Sequence, residues 1–260
     1  MTERDLGVLA LEAGLGAAQI HLANLSSGER WAHDDGRWLY PASMIKLPLA
    51  VAAGAAIDAG RLGWDTTVTV EASNGTQNDT PSPMLPGYRT TVDELVTLML
   101  QRSDNVATNV LYDVLERGRA TADVQALGFR QTFFRRKLSG AEPLIDDPAA
   151  TGRNSFPAAE AVALLIALAA DRLPQAAALR RILATSWWDV KLSRGLEPDD
   201  RFAHKTGDTD EVSHDGGLLS LAEGPRWAIV VYTDLPSCEE NDQRLGAFMR
   251  ALRPCISAAA

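Results

Sequence analysis

The sequence predicts an α+β fold: an antiparallel sheet flanked by helices, with an all-helical unit inserted between its strands. Strand-like runs gather near the two ends of the chain, at residues 17–24, 30–33, 202–206, 216–221 and 227–233, and helical patterning fills the interval between them. The Ala222-Glu223-Gly224-Pro225 turn joins the last two runs as a hairpin. Strands and helices segregated in this way give a sheet that carries its own terminal helices. Residues 1–40 and 190–260 are expected to form a discontinuous sheet-containing domain, and residues 41–189 an all-helical one, with a functional site at their junction.

Each element follows from local pattern. Residues 2–15 read as a terminal helix stopped by Gly14-Leu15-Gly16, and residues 17–24 and 30–33 as a hairpin turning at Ser26-Ser27-Gly28-Glu29. A helix opens at Tyr40-Pro41 and continues to about Gly60, apolar on every side, as a helix buried all round must be. A short strand is expected at residues 68–71 and a polar, proline-containing loop at residues 73–87. Thr91 followed by Asp93 and Glu94 marks a helix start running to about Gln101. Asp104 suits the N-cap of a helix over residues 104–118, and residues 121–127 form another, stopped by Gly128. Residues 133–157 are the least regular. Helices follow over residues 157–170, opening on Pro157, and over residues 174–188, where Trp187 and Trp188 read as packing aromatics. An amphipathic helix over residues 239–252 closes the chain.

Composition narrows the function. The 260 residues are enough to bury a substantial core, and 46% hydrophobic with 23% charged residues is ordinary for a globular protein. With 25 basic against 34 acidic residues, a formal −9, nothing resembles a nucleic-acid footprint, and the one dense basic run, Arg135-Arg136-Lys137, reads as a solvated turn. No apolar run reaches the roughly eighteen residues of a membrane span. The start, Met1-Thr2-Glu3-Arg4-Asp5, makes a poor signal peptide, so a cytoplasmic location is expected. Cys238 and Cys255 are read as unpaired, and four histidines without a close pair predict no metal site. No cofactor is expected. The expected partner is a small-molecule or peptide substrate, and the chain is expected to act as a monomer.

The chemistry concentrates at Tyr40-Pro41-Ala42-Ser43-Met44-Ile45-Lys46. Residues three apart share a helix face, so Lys46 can reach back to the Ser43 hydroxyl. A serine hydroxyl must lose its proton to attack, and a neutral lysine, its pKa depressed by burial or by another cation, can accept it. The helix opening adds unpaired N–H groups and the positive end of the macrodipole. Pro48 lies early enough to be tolerated. Farther along come Ser103-Asp104-Asn105 and Lys205-Thr206-Gly207.

These three motifs, S-x-x-K, S-D-N and K-T-G in that order, resemble the class A β-lactamases and penicillin-binding proteins across nearly the whole chain. The resemblance implies the β-lactamase/transpeptidase-like fold and a metal-free serine acyl-enzyme. In it Ser43 is the nucleophile, Lys46 its base, and Ser103 with Lys205 a second proton route. Asn105 would bind the substrate amide, and Lys205 with Thr206 its carboxylate. The N–H groups of Ser43 and of Asp208, which follows Gly207, would form the oxyanion hole. Those enzymes hold a water-activating glutamate in a Glu-Pro-x-Leu-Asn context. This chain has Glu142-Pro143-Leu144-Ile145, about two residues nearer Pro157, which leaves Glu142 either a shifted general base or a solvated loop acid. The acids of Asp208-Thr209-Asp210-Glu211 are expected to disfavour anionic substrates, and the expected cytoplasmic location departs from a usually exported family. His204, His214 and Asp215 read as structural. Three functions stay open: β-lactam hydrolysis, peptide, amide or ester hydrolysis of the D,D-peptidase kind, and penicillin binding without turnover.

Overall fold

A computed structural model describes residues 2–34, 36–140, 145–222 and 224–257. Helix α1 spans Glu3–Glu12, and strands β1 and β2 span Gln19–Asn24 and Arg30–His33. A 3₁₀ turn over Ala42–Ile45 leads into α2, Lys46–Asp58. Strands β3, Thr67–Thr69, and β4, Arg89–Thr91, precede α3, Val92–Gln101, α4, Asn105–Leu115, and α5, Arg117–Ala126. Then come α6, Ala158–Ala169, and α7, Ala176–Leu183. Strands β5, Arg201–Asp208, β6, Ser213–Ser220, and β7, Arg226–Tyr232, lead to α8, Glu239–Ser257.

The five long strands form one antiparallel sheet in the order β2-β1-β7-β6-β5. Period-two alternation divides its side chains. Ile20, Leu22, Ile229 and Val231 face α1 and α8, where Leu6, Phe248 and Leu252 are buried, while Ala228, Val230 and Tyr232 face the central helices. Because both faces are covered, residues 227–232 read in sequence as one apolar run rather than an alternating one. Among the described residues no helix is long and apolar enough to cross a membrane.

Several boundaries differ from the sequence reading. The nucleophile helix is divided: Pro48 has no N–H to donate to Met44 O, so the turn around Ser43 tightens to 3₁₀ before the α-helix starts at Lys46. Of the strand expected at residues 68–71 only Val68 and Thr69 lie in β3, which pairs with the unforeseen β4 in a separate ribbon. Glu116, at φ 57°, ends α4 and turns the chain directly into α5. Pro157 is the residue before α6 rather than its first. The helix expected to reach residue 188 ends at Leu183, because the chain turns back and Trp187 N–H donates to Gln101 O at 3.0 Å. Trp187 is exposed, with the Arg102 guanidinium 4.0 Å above its ring. The closing helix runs five residues past its expected end, through Pro254 to Ser257.

Strand β5 is placed against the Ser43 turn by a close approach. A Cβ on Gly207 would stand 3.0 Å from Pro41 O and 3.2 Å from Met44 N, so a glycine lets the strand lie this near without pushing its neighbours aside.

Candidate active site

Ser43 is half-buried at the end of the sheet, one residue after Ala42, whose φ of 46° is in the left-handed region. Lys46 is fully buried beneath it. Its Nζ lies 2.9 Å from Ser43 Oγ, 3.0 Å from Ser103 Oγ, 2.6 Å from Ser103 O and 2.7 Å from Asn105 Oδ1. Burial, followed by the positive charge of Lys205, holds the Lys46 pKa well below its ordinary value. Proton counting then assigns the bonds. A neutral amine has two N–H groups and one lone pair; Ser103 O and Asn105 Oδ1 can only accept, so they take the two protons. The lone pair remains for a hydroxyl that donates, and Ser43 Oγ is at that distance.

Ser103 and Asn105 are held from two directions. Ser103 sits at φ 61°, which turns both its carbonyl and its hydroxyl toward Lys46, and Asp104 beside it caps α4 by accepting from Ala107 N–H at 2.9 Å. Asn105 N–H donates to Asn78 Oδ1 at 2.5 Å, and Asn105 Nδ2 to Gln77 O at 3.0 Å, which fixes the amide so that its oxygen faces Lys46. Among the described residues the second Nδ2–H has no partner, which leaves it for a ligand. Asn78 and Gln77 lie in the loop that composition reads as merely polar, and no motif distinguishes them.

Lys205, on β5, completes the group. Its buried Nζ is 2.9 Å from Ser103 Oγ and 2.8 Å from Thr206 O, and burial pushes its pKa down to about 8. The Ser103 hydroxyl therefore lies between two lysine nitrogens and can relay a proton between them. Thr206 and Gly207 continue the strand past Ser43.

Asp208 corrects one expectation. Its carboxylate is 2.5 Å from Nζ of Lys191, a fully buried residue that also donates to Gly207 O at 3.3 Å and His214 O at 3.1 Å. The acid is paired with a buried cation rather than left as the free carboxylate that its sequence position suggests. Lys191 carries no sequence signal.

The histidines brace this arrangement. His204 donates to Asp215 at 2.8 Å and to Asp189 at 3.2 Å; burial disfavours its charged form, but the two carboxylates outweigh that and raise its pKa to about 9. For His214, burial lowers the pKa to about 4, and the neutral ring donates from Nε2 to Tyr40 O and accepts Thr233 N–H at Nδ1. It thereby ties the segment before Ser43 to β6.

A cleft of about 690 Å³ borders the site, lined by Tyr40, Arg136, Ser139, Arg153, Asp208 and Glu211. Arg153 and Glu211 pair across it at 3.0 Å. The run Arg135-Arg136-Lys137 is not a solvated turn: Lys137 is buried on Asp113 at 2.6 Å, and Arg136 lines the cleft. Asn109 clamps the next residue by both backbone groups, accepting Leu138 N–H at 2.7 Å and donating to Leu138 O at 3.0 Å. Glu142 lies outside the described residues.

A buried lysine facing a serine hydroxyl, joined through a second serine to a second lysine on a sheet edge, defines the class: a serine acyl-transfer hydrolase of the α+β sandwich type. The sequence profile of the β-lactamase enzyme family matches residues 3–253, and the chain belongs to that family. A β-lactamase of Rhodobacter capsulatus is 30% identical over 105 residues, a match spanning 40% of this chain and 36% of that protein. The β-lactamase of Sphaerobacter thermophilus superposes with a TM-score of 0.81 at 24% identity, covering 98% of both chains. A mutant of the last common ancestor of Gram-negative class A β-lactamases gives 0.82 at 25%, covering 97% of each. A mutant of PBP-A, solved as an acyl-enzyme complex with penicillin G, gives 0.79 at 23%, covering 99% of this chain and 95% of its own.

Proposed function

We propose that the chain opens β-lactams, or related cyclic amides, through an acyl-enzyme on Ser43. The observation that carries this reading is the 2.9 Å approach of Ser43 Oγ to a buried, depressed Lys46 whose two N–H groups are already committed. Ser43 Oγ attacks the carbonyl carbon as its proton passes to Lys46 Nζ. The carbonyl oxygen becomes an oxyanion held by the N–H groups of Ser43 and Asp208, a contribution of several kcal/mol in such sites. When the C–N bond breaks, the nitrogen takes the Ser103 hydroxyl proton, which one of the two flanking lysines replaces. Lys205 and Thr206 receive the substrate carboxylate, and the free Nδ2–H of Asn105 its side-chain carbonyl. Water then attacks the ester and releases Ser43.

A second reading, acylation with slow release, is favoured by the clamp of Asn109 on Leu138. Residues 137–140, which pack back against residues 73–77, carry no carboxylate to activate water. Mixing the protein with a chromogenic cephalosporin, while following absorbance and intact mass, tests both. A covalent adduct or turnover that is lost in Ser43→Ala supports the acyl-enzyme, and the lack of both in the unaltered protein rules the proposal out. Rapid turnover, lost in Glu142→Gln, assigns deacylation to that residue; a persistent adduct selects the second reading.

A further inference from the structure

A second cavity, of about 270 Å³, opens where the far end of β5, β6 and β7 meets the end of α6 and helix α7. Leu25, Ala169, Ala184 and Leu218 give it apolar walls. The sheet register places a row of polar side chains along one edge: Arg201 on β5 pairs with Ser220 on β6, which pairs with Arg226 on β7. Residues in register share a face, so both arginines project to the side of the sheet that α6 and α7 cover, as Ala203, Leu218 and Ala228 do on the same strands. Two strand spacings separate the arginines, about 10 Å, with only the Ser220 hydroxyl between them.

Among the described residues the charges here are unbalanced. The Arg201 guanidinium donates, among the described residues, to the carbonyls of Pro198 and Asp200 alone, and Arg226 pairs with no carboxylate. Arg180, a third lining residue, holds Asp171 at 2.7 Å, an acid that does not itself line the cavity. Two exposed arginines make a positive rim, and an anion seated between them gains both charges while its apolar body leaves water for the alanine and leucine walls.

We propose that this cavity is a binding site for a small amphiphilic monoanion, a medium-chain carboxylate in chemical class, held head-first by Arg201 and Arg226. It is separate from the Ser43 group, none of whose members line it.

Octanoate is the probe. Titration into ¹⁵N-labelled protein is expected to move the amide resonances of residues around Ala184, Leu218 and Arg226, and to displace 8-anilinonaphthalene-1-sulfonate fluorescence with the same midpoint. Octylamine, of equal length and opposite charge, is expected to do neither. The Arg201→Gln/Arg226→Gln double variant should weaken octanoate binding at least tenfold, and Ala184→Leu, which fills the cavity from the helix side and leaves every charge in place, should weaken it as well. Both variants should keep the wild-type melting temperature and the wild-type rate of adduct formation on Ser43. Equal binding of octylamine, unchanged affinity in the double variant, or resonance shifts elsewhere would each overturn the proposal.

Discussion

Lys46 must be buried enough to lose its charge and must still be surrounded by acceptors, and the structure reconciles the two by giving it only as many obligate acceptors as a neutral amine has protons. Replacing it by methionine keeps the volume and removes the base. Lys46→Met should lower the rate of Ser43 acylation by about 10²–10⁴, the usual worth of a positioned general base. Ser103 O and Asn105 Oδ1 would lose a partner, and each orphaned acceptor costs about 1–3 kcal/mol, so denaturant unfolding should register a loss of that order. Lys205 sets a different limit. Its charge has to be present to receive a carboxylate, yet burial leaves its pKa at about 8. Acylation by a carboxylate-bearing β-lactam should therefore fall as pH rises through about 8. Lys205→Arg, permanently charged, should remove that limb while the requirement for Lys46 as base stays. A descending limb that is the same in both proteins would detach it from Lys205.

Strand β5 is the element on which the site depends, because its last residues include Lys205, Gly207 and Asp208 while the face turned away from Lys205 is anchored by His204. The imidazolium of His204 is clamped between Asp215, fully buried, and Asp189. Its folded pKa, about 9, exceeds the 6.5 of the unfolded chain. The bound proton accordingly stabilises the fold in full below about pH 6.5, and that contribution is lost as pH rises through about 9. The shift corresponds to about 3 kcal/mol. Urea unfolding from pH 6 to 10 should show wild type losing an amount of that order relative to His204→Gln; parallel pH courses in the two proteins would contradict the clamp. The start of β5's neighbour, His214, behaves oppositely, neutral and wedged between Tyr40 O and Thr233 N–H, and so contributes geometry without charge.

At the scale of the molecule, the site is a seam. Ser43 comes from the 3₁₀ turn and Lys46 from the start of α2, Ser103 from the turn between α3 and α4 and Asn105 from the start of α4, Lys205 from the sheet, and Lys191 from the segment that packs on α8. That last segment lies close because a Cβ on Gly195 would stand 2.4 Å from Gly246 O. Lys191→Met should expose the charge of Asp208 and reduce acylation by an anionic β-lactam roughly tenfold, and Lys191→Met/Asp208→Asn should recover most of that loss, since removing both charges restores balance. Failure of the double variant to exceed the single would mean that Lys191 acts through packing alone. Much of this protein was legible in its sequence: the α+β order, the caps at Thr91 and Asp104, and the three motifs holding Ser43, Lys46, Ser103, Asn105 and Lys205, because periodicity, capping and short spacings are local properties. The division of the nucleophile helix was local too, in Pro48, but needed the consequence for Met44 O to be followed through. Only the tertiary structure decided that Asp208 is paired with a buried cation, that Lys137 is buried, that Asn78 and Gln77 orient Asn105, and that Arg201 and Arg226 stand in one row. Those are pairings between segments far apart in the chain, and charge balance and burial are settled by which strands and loops come to lie beside each other, a quantity that no stretch of neighbouring residues encodes.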